Sequence, residues 1–590
     1  MSFDKRSLSN IWHYNFKCPS NKKNENNLIG NPVMILTTAE KIKHYKDLGH
    51  WGEKTFLDKF KENVTANPDR LALIDPPNKP DLVGLPAERI TYQQLSDQID
   101  SFATGLHNLG IKKDDIVMVQ LPNIWELSLV YMAIVRVGAV FAPMPMQWRE
   151  SEFEYINGLT EAKLFISLKD FKGFDHLAMA KSLSSKLPHL KMFMDLSEVK
   201  KLTSNTEADV ALLDSIPIDA DDVFTLCWSS GTESHPKGCP MSHNNWFYQG
   251  NIMQTAFGIG EQEETILCCA PMVNMTGVGV GFILWLLSGG TIVFHHPFDG
   301  VLCIQQIMEE KVSRTILVPA ILNAILKNPH VDQFDLSHVG SIMTGSAPPS
   351  VWSLEQFRDR WGIDIACGWG QTEGTAIMVG ADEIPEIEKR VRYYPNLGDT
   401  SRDWLIKGVQ TKIVDPDTQE VLTEVGQVGE LAYKGPNVFP GYFKRPDITE
   451  KSFDADDFFY TGDLFKIEED SYISFFDRCK DIIIRGGNNI SAQEIENMLQ
   501  GHPEVMDVAA VAMPDENMGE RTCVYVVPKS ETEKPDIKSL ADFMSEKGIA
   551  VYKLPERVEY IAEIPRNPVG KILKPQLRKD ITEKLKAEKA

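Results

Sequence analysis

Six short stretches of this 590-residue chain set hydroxyls, carboxylates, lysines and glycines at spacings suited to phosphate chemistry. The first is Trp228-Ser229-Ser230-Gly231-Thr232-Glu233-Ser234-His235-Pro236-Lys237-Gly238. Glycine lets backbone N–H groups approach phosphate oxygens, hydroxyls add donors, and the lysine adds a mobile positive charge. The pattern G-x-x-x-x-G-K-[ST] cannot be laid on it, and an ordinary polar turn would have a similar composition. The second, Thr344-Gly345-Ser346-Ala347-Pro348, is a small-residue turn after an apolar run, where backbone can meet a flat ring or simply reverse. The third, Gly368-Trp369-Gly370-Gln371-Thr372-Glu373, joins an aromatic that can stack on a purine, a hydroxyl that can donate to phosphate and a carboxylate that can hold Mg²⁺. Tyr460-Thr461-Gly462-Asp463 ends in a carboxylate whose two acceptor oxygens suit a pair of hydroxyls. Asp477-Arg478-Cys479-Lys480-Asp481 is a charged run leading to Arg485-Gly486-Gly487, and Pro565-Arg566 precedes Gly570-Lys571 on a loop framed by proline and glycine. Taken singly, the first of these two also reads as a charged strand-edge turn, and a lysine such as Lys571 is usually a solvated surface charge.

The elements that must position these residues follow from hydrophobic period. Val223 to Cys227 is an apolar run of buried-strand type, and Ser242-His243-Asn244-Asn245 opens a helix, so the first stretch reads as a strand-to-helix loop. Upstream, helical spacing over 56–68 gives way to a strand at 71–74. A helix over 95–109 stops at Gly110 and is followed by a strand at 114–121, a helix at 126–137 and a strand at 138–143. This alternation, continuing to about residue 380, predicts an α/β fold whose large N-terminal domain has layered, mostly parallel sheets. Shorter alternating runs over 400–467 predict a β-rich subdomain, and renewed alternation after 480 a separate small α+β C-terminal domain. Residues 1–50 read as a partly mobile extension, and 51–479 as the large domain.

Length argues for two to four domains rather than one core. A net charge of −22 argues against non-specific binding to nucleic acid or anionic membranes, while leaving room for a local nucleotide site. Nine cysteines, an odd total with no C-x-x-C pair, fit a reducing, cytoplasmic setting, and residues 1–30 are too polar for a secretory signal. The uncharged stretch 267–294 is long enough to span a bilayer. Its five glycines between 277 and 294 and Pro271 favour a buried helix running into a buried strand.

Together the six stretches, in order, resemble the AMP-forming adenylating enzymes: acyl-CoA synthetases, luciferases and peptide-synthetase adenylation domains. The resemblance covers residues 56 to 580. It implies ATP, Mg²⁺ and coenzyme A as co-substrates, with Ser229, Ser230, Gly231, Thr232 and Lys237 in the phosphate loop. Gly345, Ser346 and Ala347 would form the adenine-side turn, beside Gly368, Trp369, Gly370, Gln371, Thr372 and Glu373. Glu373 would be the metal ligand, Asp463 would take the ribose hydroxyls, and Arg478 would contact the nucleotide. Lys480 would be the pivot of a mobile C-terminal domain, Arg485, Gly486 and Gly487 would face the pantetheine channel, and Lys571 would bridge the carboxylate and the α-phosphate. Lys571, Glu373 and Thr232 are the implied catalytic residues.

The pattern departs from the family at three places. Glu233 and Ser234 stand where threonine and glycine are usual, and Asn274 replaces the histidine of the acid-binding segment P-x-x-H-x-x-G. Acid-binding candidates are Trp246, Asn274, Met275, Gly277 and Gly345, with Gly277, Gly279 and Gly281 expected to leave room for the acyl group. No lysine or arginine stands out for a second carboxylate, which suggests a medium-chain, branched or cyclic acid. The segment Tyr45 to Trp51 resembles aryl-acid members and keeps an aromatic acid open. The expected acceptor is coenzyme A, with a carrier protein as the alternative.

Overall fold

The computed structural model describes residues 34–590 apart from 230–234, 260–263, 487, 516, 531, 533, 567–570 and 590. Among the described residues four sheets form. The first has eight strands and is parallel at its centre, where Thr265–Cys268, Thr291–Phe294, Arg314–Ile316, Ser341–Gly345 and Asp364–Gly370 run together. The second has six strands and is parallel through Met192–Met194, Leu164–Ile166, Ile116–Val119, Val140–Pro143 and Val223–Ser229. Their central strands are largely buried on two faces, which is why runs such as Ile116–Val119, Val140–Pro143 and Thr291–Phe294 are mostly apolar rather than alternating. The helix Trp125–Arg136 is buried along its whole length. Tyr131 stacks on Phe141 of the second sheet and donates to the Met272 carbonyl beneath the first, at 2.6 Å.

Local sequence explains the helix starts. Thr55, Thr91 and Ser242 each cap a helix with a hydroxyl that accepts from the N3 amide, and Asp58, Gln94 and Asn245 return the bond. The uncharged stretch after residue 267 resolves into a buried π-helix at Gly277–Ile283, a mostly buried helix at Leu284–Ser288 and a buried strand at Thr291–Phe294, as the glycine count suggested. No described helix is long and apolar enough to cross a membrane.

The β-rich part is a six-stranded antiparallel sheet spanning Tyr393–Pro395 to Tyr472–Arg478, wider than the 400–467 read from the sequence. Beyond it, a five-stranded sheet carries the helices Ala492–Leu499, Ile537–Glu546 and Lys574–Lys589 around two small cores of its own.

Two expectations change. Residues 34–50 are not a loose extension. Met34 is 2% exposed, donates its N–H to Asp114 and accepts from the Val223 N–H, while the helix Ala39–Asp47 buries Tyr45 against Trp51. Trp51 in turn donates to the Pro436 carbonyl at 3.1 Å. Three apolar side chains scattered among polar ones supply this anchorage, too sparse a pattern to read as an amphipathic helix. Residues 1–33 lie outside the described residues. Second, Lys237 is not on a strand-to-helix loop. It begins the strand Lys237–Ser242, which folds back antiparallel onto Val223–Ser229 before the helix starts.

Candidate functional site

The site is built where strand ends of the first sheet meet the β-rich sheet. Strand Asp364–Gly370 runs into the turn Gln371–Gly374, closed by the Gln371 N–H donating to the Thr375 carbonyl at 2.9 Å. Gly374 has φ of +90°, and a Cβ there would run into the Asn437 carbonyl oxygen, so only glycine lets the β-rich sheet close over the turn. The Phe439 N–H donates to the Glu373 carbonyl at 3.0 Å, which completes the clamp.

That clamp orients Glu373. Its buried carboxylate accepts from the Tyr442 hydroxyl at 2.9 Å, and the Lys237 ammonium lies 4.5 Å from the centroid of the Tyr442 ring. The next residue, Phe443, donates its N–H to the Gly238 carbonyl at 2.9 Å. One short segment therefore brings a lysine and a carboxylate from distant parts of the chain to one tyrosine, the carboxylate to its hydroxyl and the lysine to its ring. Sequence reasoning gave Tyr442 no role. Its only signal was position within a glycine–tyrosine pair.

Asp463, 4% exposed, forms the second centre. Its Oδ2 accepts from the Trp369 indole at 2.8 Å and from the Gln371 amide at 3.1 Å, and Oδ1 lies 3.4 Å from Nε of Arg478, its cross-strand partner. Burial raises the Asp463 pKa, with Arg478 and the two neutral donors opposing it. Trp369, expected to offer its face to a purine, thus also spends its N–H on a carboxylate and packs edge-on to Phe465. Gln371 additionally donates to the Thr461 carbonyl at 2.8 Å.

The small-residue turn lies beside these groups. Gly345 and Gly368 are register partners, and a Cβ on Gly345 would come 2.8 Å from the Gly368 carbonyl oxygen. Ser346 adopts φ of +68°, and Ser346 and Ala347 are exposed, giving an open backbone floor. Gly370 is exposed and Thr372 half-buried on the same edge. Ser229 is buried at the end of its strand. Ser230, Gly231 and Thr232, with Glu233 and Ser234, lie outside the described residues, as does Gly487.

The C-terminal candidates are placed by their own domain. Near Lys571 in sequence, Arg566 pairs with Asp507 at 2.8 Å and the Leu573 N–H donates to the Pro565 carbonyl, while residues 567–570 lie outside the described residues. Arg485 is committed to Glu556 through two hydrogen bonds of 2.9 and 3.1 Å, and Gly486 turns with φ of +56°. Lys480 is exposed, two residues beyond Arg478.

The acid-binding segment departs from expectation. Asn274 caps the π-helix, its Oδ1 accepting from the Thr276 and Gly277 amides at 3.1 Å each. The room expected beside the glycines is filled. A Cβ on Gly277 would meet the Pro271 carbonyl, on Gly279 the Met253 side chain, and on Gly281 the Cys268 thiol. Trp246 is fully buried and donates to the Thr225 hydroxyl at 2.8 Å, and Met275 is buried nearby. These glycines serve close packing rather than a cavity.

Mg²⁺ retains waters and is commonly held by one or two carboxylates together with phosphates. Glu373 offers one such carboxylate, and no group of three His, Cys, Asp or Glu side chains converges among the described residues. The residues therefore fit an ion that arrives with the nucleotide.

Comparison with known proteins identifies the family. The AMP-binding enzyme family matches residues 60–443, and the AMP-binding enzyme C-terminal domain matches 494–571. A medium-chain fatty-acid–CoA ligase of Escherichia coli is 30% identical over 94% of this chain and 95% of its own. A 2,3-dihydroxybenzoate-AMP ligase of Bacillus subtilis is 31% identical over 92% and 96%. The crystal structure of ATP-bound MatB from Rhodopseudomonas palustris, 23% identical, shares the fold with a TM-score of 0.76 over 89% of this chain and 99% of that one. On these grounds the chain belongs to the AMP-binding enzyme family, the adenylate-forming acid ligases.

Proposed function

We propose that the protein is an AMP-forming acid–CoA ligase acting on a medium-chain, branched or cyclic acid. In the first half-reaction a carboxylate oxygen attacks the α-phosphorus of ATP, forming the acyl–phosphate bond and releasing pyrophosphate. In the second, a thiol attacks the acyl carbon, and AMP leaves with the former carboxylate oxygen. The observation that carries the reading is the convergence of Lys237, Tyr442 and Glu373 beside the Asp463–Trp369–Gln371 cluster.

In-line displacement at phosphorus demands positioning and charge neutralisation more than proton transfer. Lys237 neutralises phosphate charge, Asp463 accepts from the ribose hydroxyls, and Gly345, Ser346, Ala347, Gly368 and Gly370 form the floor under the base. Glu373 would hold Mg²⁺, which when bound would add positive charge at the phosphates. Lys571 contacts the carboxylate and α-phosphate in the first half-reaction. Rotation about Lys480 then withdraws it and presents Arg485 and Gly486 to the thiol.

A second reading has a specific basis. The relative at 31% identity is a dihydroxybenzoate-AMP ligase, and another, at 29%, is named enterobactin synthase component E. This supports an aryl acid, or a carrier-protein thiol, as the alternative. AMP release from ATP across aliphatic, alicyclic and aryl acids, with coenzyme A or a phosphopantetheinylated carrier, separates these readings. Turnover dependent on the carrier alone would remove the CoA-ligase reading.

A further inference from the structure

Tyr155 lies on the helix Glu150–Thr160 and belongs to none of the six stretches. It is half-buried and packs against the core that holds Trp228 and Phe443. Its ring overlaps the imidazole of His235, with centroids 4.3 Å apart and planes inclined by 11°. His235 is exposed. A solvent-facing side chain is ordinarily free to turn, so the stack is what gives this one a fixed place.

What the stack fixes follows from the next two residues. Pro236 separates His235 from Lys237. Its ring locks φ at about −65° and its Cδ keeps the preceding residue extended, so a histidine held by Tyr155 passes its direction stiffly into Lys237. Lys237 is gripped in turn by the Tyr442 ring, 4.5 Å from its ammonium, and the Gly238 carbonyl by the Phe443 N–H at 2.9 Å. The two grips are joined. Lys444 pairs with Glu161, just past the end of the Tyr155 helix, at 2.9 Å. Arg445, bound to Asp447 at 2.8 and 2.7 Å, donates to the Tyr155 hydroxyl at 3.5 Å. Residues 442–445 therefore tie the helix Glu150–Thr160 to the strand that begins at Lys237, and the lysine is aimed before any ligand arrives. Ordering done in advance is ordering that binding need not supply.

We propose that Tyr155 is a positioning residue of the nucleotide site. Through the His235 stack and Pro236 it presets Lys237, so a triphosphate binds without first ordering this end of the stretch. That the bound group is a triphosphate rests on the ligase reading; the stack and its ties to residues 442–445 do not.

The test is a double-mutant cycle on the full chain, read by calorimetric titration with Mg²⁺ and α,β-methylene-ATP, an analogue that cannot be cleaved at the α-phosphorus. Tyr155→Leu and His235→Ala should each weaken binding by about two- to tenfold, the range of one aromatic pair, and the double variant no more than the worse single. AMP, which lacks the β- and γ-phosphates, should bind all four proteins alike, a split that general loosening of the fold would not produce. Tyr155→Phe and His235→Phe keep a stacked pair and should hold affinity near the wild-type value. His235 is exposed, so its two variants carry the test if Tyr155→Leu fails to fold. Additive losses, an unchanged affinity in His235→Ala, or an equal loss of AMP affinity would overturn the proposal. A wild-type chain that binds the analogue but turns over no acid would sink the ligase reading alone, and one that binds no nucleotide would sink both.

Discussion

The indole N–H of Trp369 donates to Oδ2 of Asp463 at 2.8 Å, across 94 residues of sequence. An aromatic that could serve only as a stacking surface is therefore also the donor that fixes a buried carboxylate. Trp369→Phe keeps a ring and removes the bond. A lost hydrogen bond to a buried charge costs about 1–3 kcal/mol, so the KM for ATP should rise about tenfold or more while kcat changes less. The Asp463 pKa is already raised by burial, and losing a donor raises it further. The defect should therefore deepen as pH falls toward the carboxylate range. A variant with wild-type KM at every pH would remove Asp463 orientation as the role of the indole.

Lys571 is held on the C-terminal domain beside the Arg566–Asp507 pair. Lys571→Ala should lose acyl-adenylate formation by about 10²–10³-fold, the effect of removing one stabilising group at the transition state. It should still thioesterify acyl-adenylate that is supplied ready-made. Pyrophosphate release and single-turnover thioesterification measure the two halves, and equal loss of both would contradict rotation about Lys480.

Away from the site, fully buried Lys79 donates to Asp75 at 2.6 Å and to Glu126 at 2.7 and 2.8 Å, one cation between two carboxylates. Burial pushes the Glu126 pKa up from 4.5 to about 7, against the pull of Lys79. Below pH 4.5 the group is protonated in both folded and unfolded chains. Between 4.5 and 7 only the unfolded chain releases the proton, so this group's contribution to stability is lost as pH rises, by up to about 3 kcal/mol. Glu126→Gln should flatten the unfolding midpoint across that window. Lys79→Met should cost about 3–5 kcal/mol by leaving buried charge unpaired, as read by denaturant unfolding.

A Cβ at Gly277 would collide with the Pro271 carbonyl. Gly277→Ala should destabilise by about 1–3 kcal/mol through overpacking and displace the loop at Pro271. Denaturant unfolding checks the first effect. An unchanged midpoint would mean that the loop shifts freely.

The sequence by itself determined the family, the α/β alternation and the helix caps, because these depend on local pattern: apolar runs, period, capping pairs and motifs in order. Val223 to Ser229 and Trp125 to Arg136 are legible since burial on every side leaves a mostly apolar text. Only the tertiary structure decided that Tyr442 contacts both Lys237 and Glu373, that the glycines after Asn274 are packed shut, and that Met34, Tyr45 and Trp51 anchor residues 34–50. It also set Tyr155, which no motif singles out, against His235. Such contacts join residues tens to hundreds of positions apart, and the side chains that make them bear no periodic signature. Their chemistry comes from how sheet edges and loops close on one another, which is a property of packing rather than of any window of sequence.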